Sequence, residues 1–388
     1  MAIILLILIY IAFISLGLPD SLIGVAWPAI RADFGLGLEY GGYISFIVTM
    51  GTVISSLLSG YFISKLKTGK VIAFSILLTS LALYGISKSN TFILMLVFAL
   101  PLGFGAGSID TAINNYVALH YKPHHMNWLH SFWGVGATAG PFIMSFYLRD
   151  SNWQKGFLTI AIIQFVFLIL VSFSIPLWKK NEDNGHETDL AQKKVKIFKI
   201  KGVIYALLIF LVYCAIEFSV GIWGSSYLVI NKGLVVADAA RLITLYYLGI
   251  TVGRFISGIL SFFASNKQII YGSIVVIFIG SIVLLLSKNT TMVWISFIII
   301  GLGLAPIFPT MIHDTPRNFG KENSQHVIGY QIAFAYIGSA IFPATFGIIF
   351  SKVSINLFPL LIVVLAGLLL LFVSMLMIRV RKNKLEEH

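Results

Sequence analysis

Cysteine, acidic side chains and polar runs are all scarce in this chain, and each shortage removes a class of protein. The lone Cys214 allows no internal disulfide and no thiolate metal cluster. Charged residues make up 11% of the 388 positions against 58% hydrophobic, with a mean hydropathy of +0.93, a balance foreign to water-soluble domains of this length. The period-two alternation of a transmembrane barrel is also missing. What remains is an all-α, polytopic membrane protein. Only 15 Asp and Glu occur, so each acid inside an apolar stretch needs a reason.

A hydrocarbon core about 30 Å thick takes about 20 apolar residues per helix. Twelve such spans fit, at 2–34, 41–64, 71–88, 92–119, 126–148, 153–178, 202–230, 237–263, 268–287, 290–314, 323–350 and 354–378. The first has no basic leader and no small-residue cleavage site, which reads as helix one and not as a signal peptide. The 34 glycines suit close helix packing, because lipid supplies no hydrophobic drive between helices.

The net charge of +12 invites a nucleic-acid partner, but its placement argues against one. Lys65, Lys67, Lys70, Lys122, Lys179, Lys180, Lys193, Lys194, Lys196 and Arg379 fall in loops on one side, and far fewer basic residues on the other. That asymmetry is the positive-inside rule, and it predicts both termini in the cytoplasm.

The one long polar segment, from Trp178 to Lys201, divides the chain into a first six-helix half (1–178), a cytoplasmic linker (179–201), a second half (202–378) and a tail (379–388). The halves repeat. At an offset of 198, Gly51, Ser59 and Gly60 fall on Gly249, Ser257 and Gly258, and Gly103 and Gly105 on Gly301 and Gly303. With four more residues in one loop, Gly136 and Pro141 fall on Gly338 and Pro343.

Two parallel six-helix repeats joined by a basic loop resemble the major facilitator superfamily, which implies a substrate site near the membrane midplane between the halves. The loop after span two keeps Gly60, Lys65, Gly69 and Lys70 of the superfamily's signature, with Ser64 where an aspartate is usual. Leu18-Pro-Asp20, Ile109-Asp110-Thr-Ala-Ile-Asn114-Asn115, Asn127-Trp-Leu-His130, Tyr213-Cys-Ala-Ile-Glu217 and Gly253-Arg254 together resemble the fucose:proton symporter family and its bacterial glucose and mannose permease relatives. The resemblance implies that Asp20 and Asp110 serve proton coupling and sugar binding, and Glu217 matches an acid of the glucose and mannose group. Aspartate at 110 is one methylene shorter than the family's glutamate, and His130 replaces its glutamine. Gly60, Lys65, Gly69, Lys70, Gly253 and Arg254 are assigned gating or structural roles.

The residues support a polar site independently of that resemblance. A carboxylate within a span costs about 2.5–3.5 kcal/mol to insert and marks a pathway or a wet cavity. Burial favours its protonated form and water access its ionised form, which is what coupling requires. Sugar recognition needs amides for hydroxyl pairs and an aromatic face for the ring. Asn114, Asn115, His130, Gln331 and His313 offer the hydrogen bonds; Trp27, Trp133, Trp223 and Tyr330 offer the face.

Two patterns mimic other sites. The histidines at 120, 124, 125 and 130 are interrupted by Pro123 and joined by no carboxylate, so no metal is expected there. Gly103-Phe-Gly105-Ala-Gly107 has no strand before it, which leaves helix packing and no dinucleotide cofactor. No catalytic constellation of an intramembrane enzyme is present. The expectation is a monomeric, multi-pass inner-membrane transporter using protons to take up a small molecule, most consistently a sugar. A proton-coupled exporter of drugs or lipid-linked substrates, and a non-transporting nutrient sensor, are alternatives. At the repeat offset Asp110 falls on Phe308 and Asn114 on Ile312, so the polar cluster belongs to one half.

Overall fold

Lipid-exposed backbone has no water to bond, so apolar runs of this length close their hydrogen bonds internally as helices. A computed structural model describes residues 2–121, 123–182 and 197–386. Lys122, Lys193, Lys194 and Lys196, and with them most of the predicted linker, lie outside the described residues, as does the end of the tail.

The first half contains α1 (Ala2–Asp20), α2 (Leu22–Phe34), α3 (Tyr40–Leu66), α4 (Thr68–Ser87), α5 (Phe92–His120), α6 (Pro123–Leu148) and α7 (Trp153–Glu182). The second contains α8 (Val203–Lys232), α9 (Val236–Leu260), α10 (Asn266–Leu286), α11 (Thr290–Leu304), α12 (Ile307–Phe319), α13 (Lys321–Lys352) and α14 (Phe358–Glu386). Eleven segments are long and apolar enough to span a bilayer on the described residues alone, and α6 completes the predicted twelve. An even number of spans puts both chain ends at one membrane face, the terminal face; the other is the far face.

Several predicted boundaries shift. The first span is two helices broken at Ser21, just after Pro19, and the tenth is broken at Ala305–Pro306 and continues to Phe319. A helical proline lacks the donor for the preceding turn and crowds its carbonyl, which explains both breaks. The last span continues through Arg379 to Glu386, since no glycine or proline stops it.

The repeat is visible as packing. A Cβ on Gly103 would strike the carbonyl of Val48, and one on Gly301 that of Tyr246; one on Gly105 would lie 2.7 Å from the Ser75 carbonyl, and one on Gly303 2.8 Å from that of Ser273. Each partner is related to its counterpart by the same offset of 198. Small residues therefore set the same close approach of α3 and α4 to α5 as of α9 and α10 to α11. The halves meet along three seams, α6 with α9, α3 with α13, and α2 with α8.

Between α3 and α4, Lys67 takes φ 71° and ψ 154°. That region is nearly reserved for glycine and costs a side-chain-bearing residue about 1–3 kcal/mol. Lys67→Gly is therefore expected to stabilise the protein by about 1 kcal/mol, read as a higher unfolding temperature in detergent. A lower temperature would contradict the strain.

Candidate functional site

The break at Ser21 leaves Asp20 at the last position of α1, facing α6. Its Oδ2 accepts a hydrogen bond from Trp133 Nε1 at 2.7 Å. The close approach that allows this comes from Gly17 and Gly136, where a Cβ would strike the backbone of α6 and α1 respectively. The face of Trp133 then receives Arg254 from α9, with the guanidinium carbon 4.6 Å from the ring centroid. Arg254 Nη1 donates to the carbonyl of His130 at 2.8 Å, and Nη2 lies 3.7 Å from Glu217 Oε1 of α8. Asp20, Trp133, Arg254 and Glu217 thus form one chain of contacts across the α6–α9 seam.

A second group crosses the α3–α13 seam. Asp110 accepts from Asn114 Nδ2 at 2.8 Å and from the Tyr336 hydroxyl at 3.3 Å, and that hydroxyl lies 3.4 Å from Ser56 Oγ. Asp20 lies within electrostatic range of both Asp110 and Glu217. The three predicted acids are therefore brought together. Among the described residues, Arg254 is the cation that pairs with them, through Glu217, and no cation pairs with Asp20 or Asp110.

The other predicted residues divide. His130 stays near the centre, its ring 5.6 Å from Phe13 and 6.2 Å from Phe308. Gln331 is fully buried, with Oε1 accepting from Thr315 at 3.0 Å and Nε2 without a partner. Asn115 is exposed, one position past the face that Asn114 shares with Asp110. Trp27 and Trp223 are shut inside helix packing: their Nε1 groups donate to Leu38 and Pro343 carbonyls at 3.2 and 2.9 Å, and their rings fill the spaces beside Gly41 and Gly347. Tyr330 leaves the centre to meet Phe198, with ring centroids 5.6 Å apart. His313 is exposed and contacts Asn266 at 3.2 Å.

The histidine run scatters as well. His120 stacks on Tyr116, His125 meets the Tyr10 hydroxyl at 2.9 Å, and the side chain of His124 lies outside the described residues. In the signature loop Lys65 folds onto Tyr61, Lys70 is exposed and Gly69 lies against Trp178. Gly253 lets α9 approach Leu302 and Ala305. Sequence reasoning missed Tyr336, Ser56 and Tyr247, whose ring meets that of Trp133 edge-on with centroids 6.4 Å apart. Tyr336 carries the one usable signal, a hydroxyl within the small-residue stretch before Gly338.

The seams are tight at the far face. A Cβ on Gly42 would lie 2.8 Å from Ala344 Cα, one on Gly24 2.6 Å from Ile222 Cα, and Ser225 Oγ donates to the Val25 carbonyl at 3.2 Å. Glu39, at the start of α3, accepts a hydrogen bond from Ser351 of α13. That bond, followed by its own backbone N–H and the charges of Arg31 and Lys352, holds its carboxyl below the usual carboxylate range. Toward the terminal face the same seams loosen, and Gly60, Gly258 and Gly329 have nothing within 4 Å of a built Cβ.

Beside this architecture stands a family-model match that covers residues 9–343, most of the chain. The chain belongs to the Major Facilitator Superfamily. Among its superfamily relatives, the cis,cis-muconate transport protein of Acinetobacter baylyi is 22% identical over 90% of this chain and 87% of its own. The glucose/mannose transporter GlcP of Bacillus subtilis is 24% identical over 45% of this chain and 43% of its own. A solved D-xylose-proton symporter superposes with a TM-score of 0.76 at 12% identity, covering 96% of this chain and 97% of that one, which shows the shared fold. Other matches include a solved nucleoside transporter and a multidrug efflux pump. The proteins named here are transporters of diverse cargo, not enzymes.

Proposed function

We propose that this transporter imports a sugar together with protons by alternating access. It sits in the inner membrane with both termini in the cytoplasm and works as a monomer. Its working units are the halves at 1–178 and 202–378. The observation that carries the reading is the charge balance at the seams, three carboxylates against one guanidinium. An ionised carboxylate shut in low dielectric without a cation costs several kcal/mol, so the closed seam favours proton loading and a hydrated seam favours release. Asp20, Asp110 and Glu217 take the proton-carrying role. Asn114, His130 and Gln331 supply hydroxyl partners and Trp133 the ring face, while Gly60, Lys65, Gly69, Lys70, Gly253 and Arg254 act in gating and packing.

The similarity to GlcP and the fold shared with the xylose symporter favour a sugar. The aromatic wall of Phe210, Tyr213 and Phe308 beside His130 favours the second reading, export of apolar cargo. Proteoliposomes given an inward proton gradient separate the two. Gradient-driven accumulation of labelled sugar, with external alkalinisation, is the expected result. Export of cationic dyes with no sugar accumulation would overturn the proposal.

A further inference from the structure

The guanidinium of Arg254 is only partly used. Its side chain is 10% exposed, and Nη1 is the group that hydrogen-bonds, to His130. Nε has no partner, and Nη2 approaches Glu217 Oε1 at 3.7 Å, beyond hydrogen-bond length. Nε and Nη2 form the side-on edge of an arginine, two parallel N–H groups spaced to match a carboxylate. Glu217 does not use that match, and its buried Oε1 accepts no hydrogen bond from any described residue. Trp133 fixes the guanidinium plane from one face, so the edge is held ready and not free to wander. A buried arginine with an empty fork is costly unless something fills it during the cycle.

We infer that the sugar taken up is a sugar acid, a polyhydroxylated monocarboxylate whose carboxylate docks on the Nε–Nη2 edge of Arg254. This rests on the sugar:proton reading of the same site and names its substrate class. Drawing Arg254 toward a substrate anion leaves Glu217 without its cation, so the loaded site needs one more proton shared among Asp20, Asp110 and Glu217. One carboxylate and one proton then cross together, and transport is electroneutral. Asn114 and the Tyr336 hydroxyl, at the neighbouring seam, face the hydroxyl-bearing end of such a molecule.

The test uses the full chain in proteoliposomes with D-glucuronate and D-galacturonate against D-glucose and D-galactose. The acids are expected to bind about tenfold or more tightly than their neutral counterparts, the margin of a charge-assisted bidentate pair. Their uptake should respond to an inward proton gradient and stay unchanged when a potassium diffusion potential is imposed. Arg254→Lys keeps the charge but removes the fork, and should erase the roughly tenfold preference for the acids over their neutral counterparts, read as the ratio of the two affinities in the same variant. Uptake of neutral sugars that the acids fail to compete for overturns the inference and leaves the sugar reading standing. Uptake of none of the four sinks both, and acid uptake driven by the imposed potential overturns the coupling described here.

Discussion

Asp110→Asn is expected to abolish proton-driven accumulation while leaving exchange of substrate across the membrane intact. Of the three acids, Asp110 is the one whose own hydrogen bond crosses between halves, to Tyr336 of α13; Asp20 bonds Trp133 within the first half, and Glu217 pairs with Arg254 within the second. When α3 and α5 part from α13, the surroundings of Asp110 change and those of the other two are largely carried along. A carboxyl whose environment differs between two states is what links a proton to a conformational equilibrium. Asparagine preserves size and keeps an oxygen for Asn114, so folding should survive. With one proton per substrate and a gradient of two pH units, wild type is expected to accumulate about 100-fold, which is about 2.7 kcal/mol, and the variant not at all. Measuring accumulation at a fixed gradient alongside gradient-free counterflow checks both halves of the expectation. Undiminished accumulation would remove Asp110 from the coupling.

The fold was legible because lipid makes each span declare itself: apolar length gave the twelve helices, and the glycine register gave the repeat that packing then displayed through Val48 and Tyr246, Ser75 and Ser273. The three acids were legible for the same reason, since an acid in an apolar run has few places to go. The aromatic part of the site was not. Trp27, Trp133 and Trp223 look alike in sequence, and what separates them is whether a neighbouring glycine admits the ring into a helix interface, as Gly41 and Gly347 do for Trp27 and Trp223. The dual use of Arg254 was hidden as well, because pairing depends on distance: 2.8 Å makes one nitrogen a backbone anchor and 3.7 Å leaves another unmatched. Helix termini misled for a local reason, proline at the two breaks and a run of good helix formers past Arg379.

A cysteine pair at Gly60 and Gly329 is expected to stop transport when oxidised and to recover it on reduction. Both glycines lie on the stripe where α3 and α13 face one another, Gly60 one turn beyond Ser56 and Gly329 two turns before Tyr336. A helical tyrosine leans about one turn toward its own N-terminus, so the contact between Ser56 and the Tyr336 hydroxyl places Ser56 level with about residue 332. Continuing the antiparallel register sets Gly60 opposite Gly329, in line with the contact of Gly42 and Ala344 at the far face. At the far face that register leaves no room for a Cβ, whereas at Gly60 and Gly329 a Cβ meets nothing within 4 Å. Two small residues opposite one another across an open gap permit close approach once the terminal ends swing together. A disulfide needs Cα atoms within about 7 Å, so it should form only in that second state and hold the transporter there. Buried Cys214 is the chain's one native cysteine and gives little background. The check is uptake before and after oxidant, with each single cysteine variant as control. Rapid transport by a fully cross-linked protein would show that the α3–α13 seam does not open and close during the cycle.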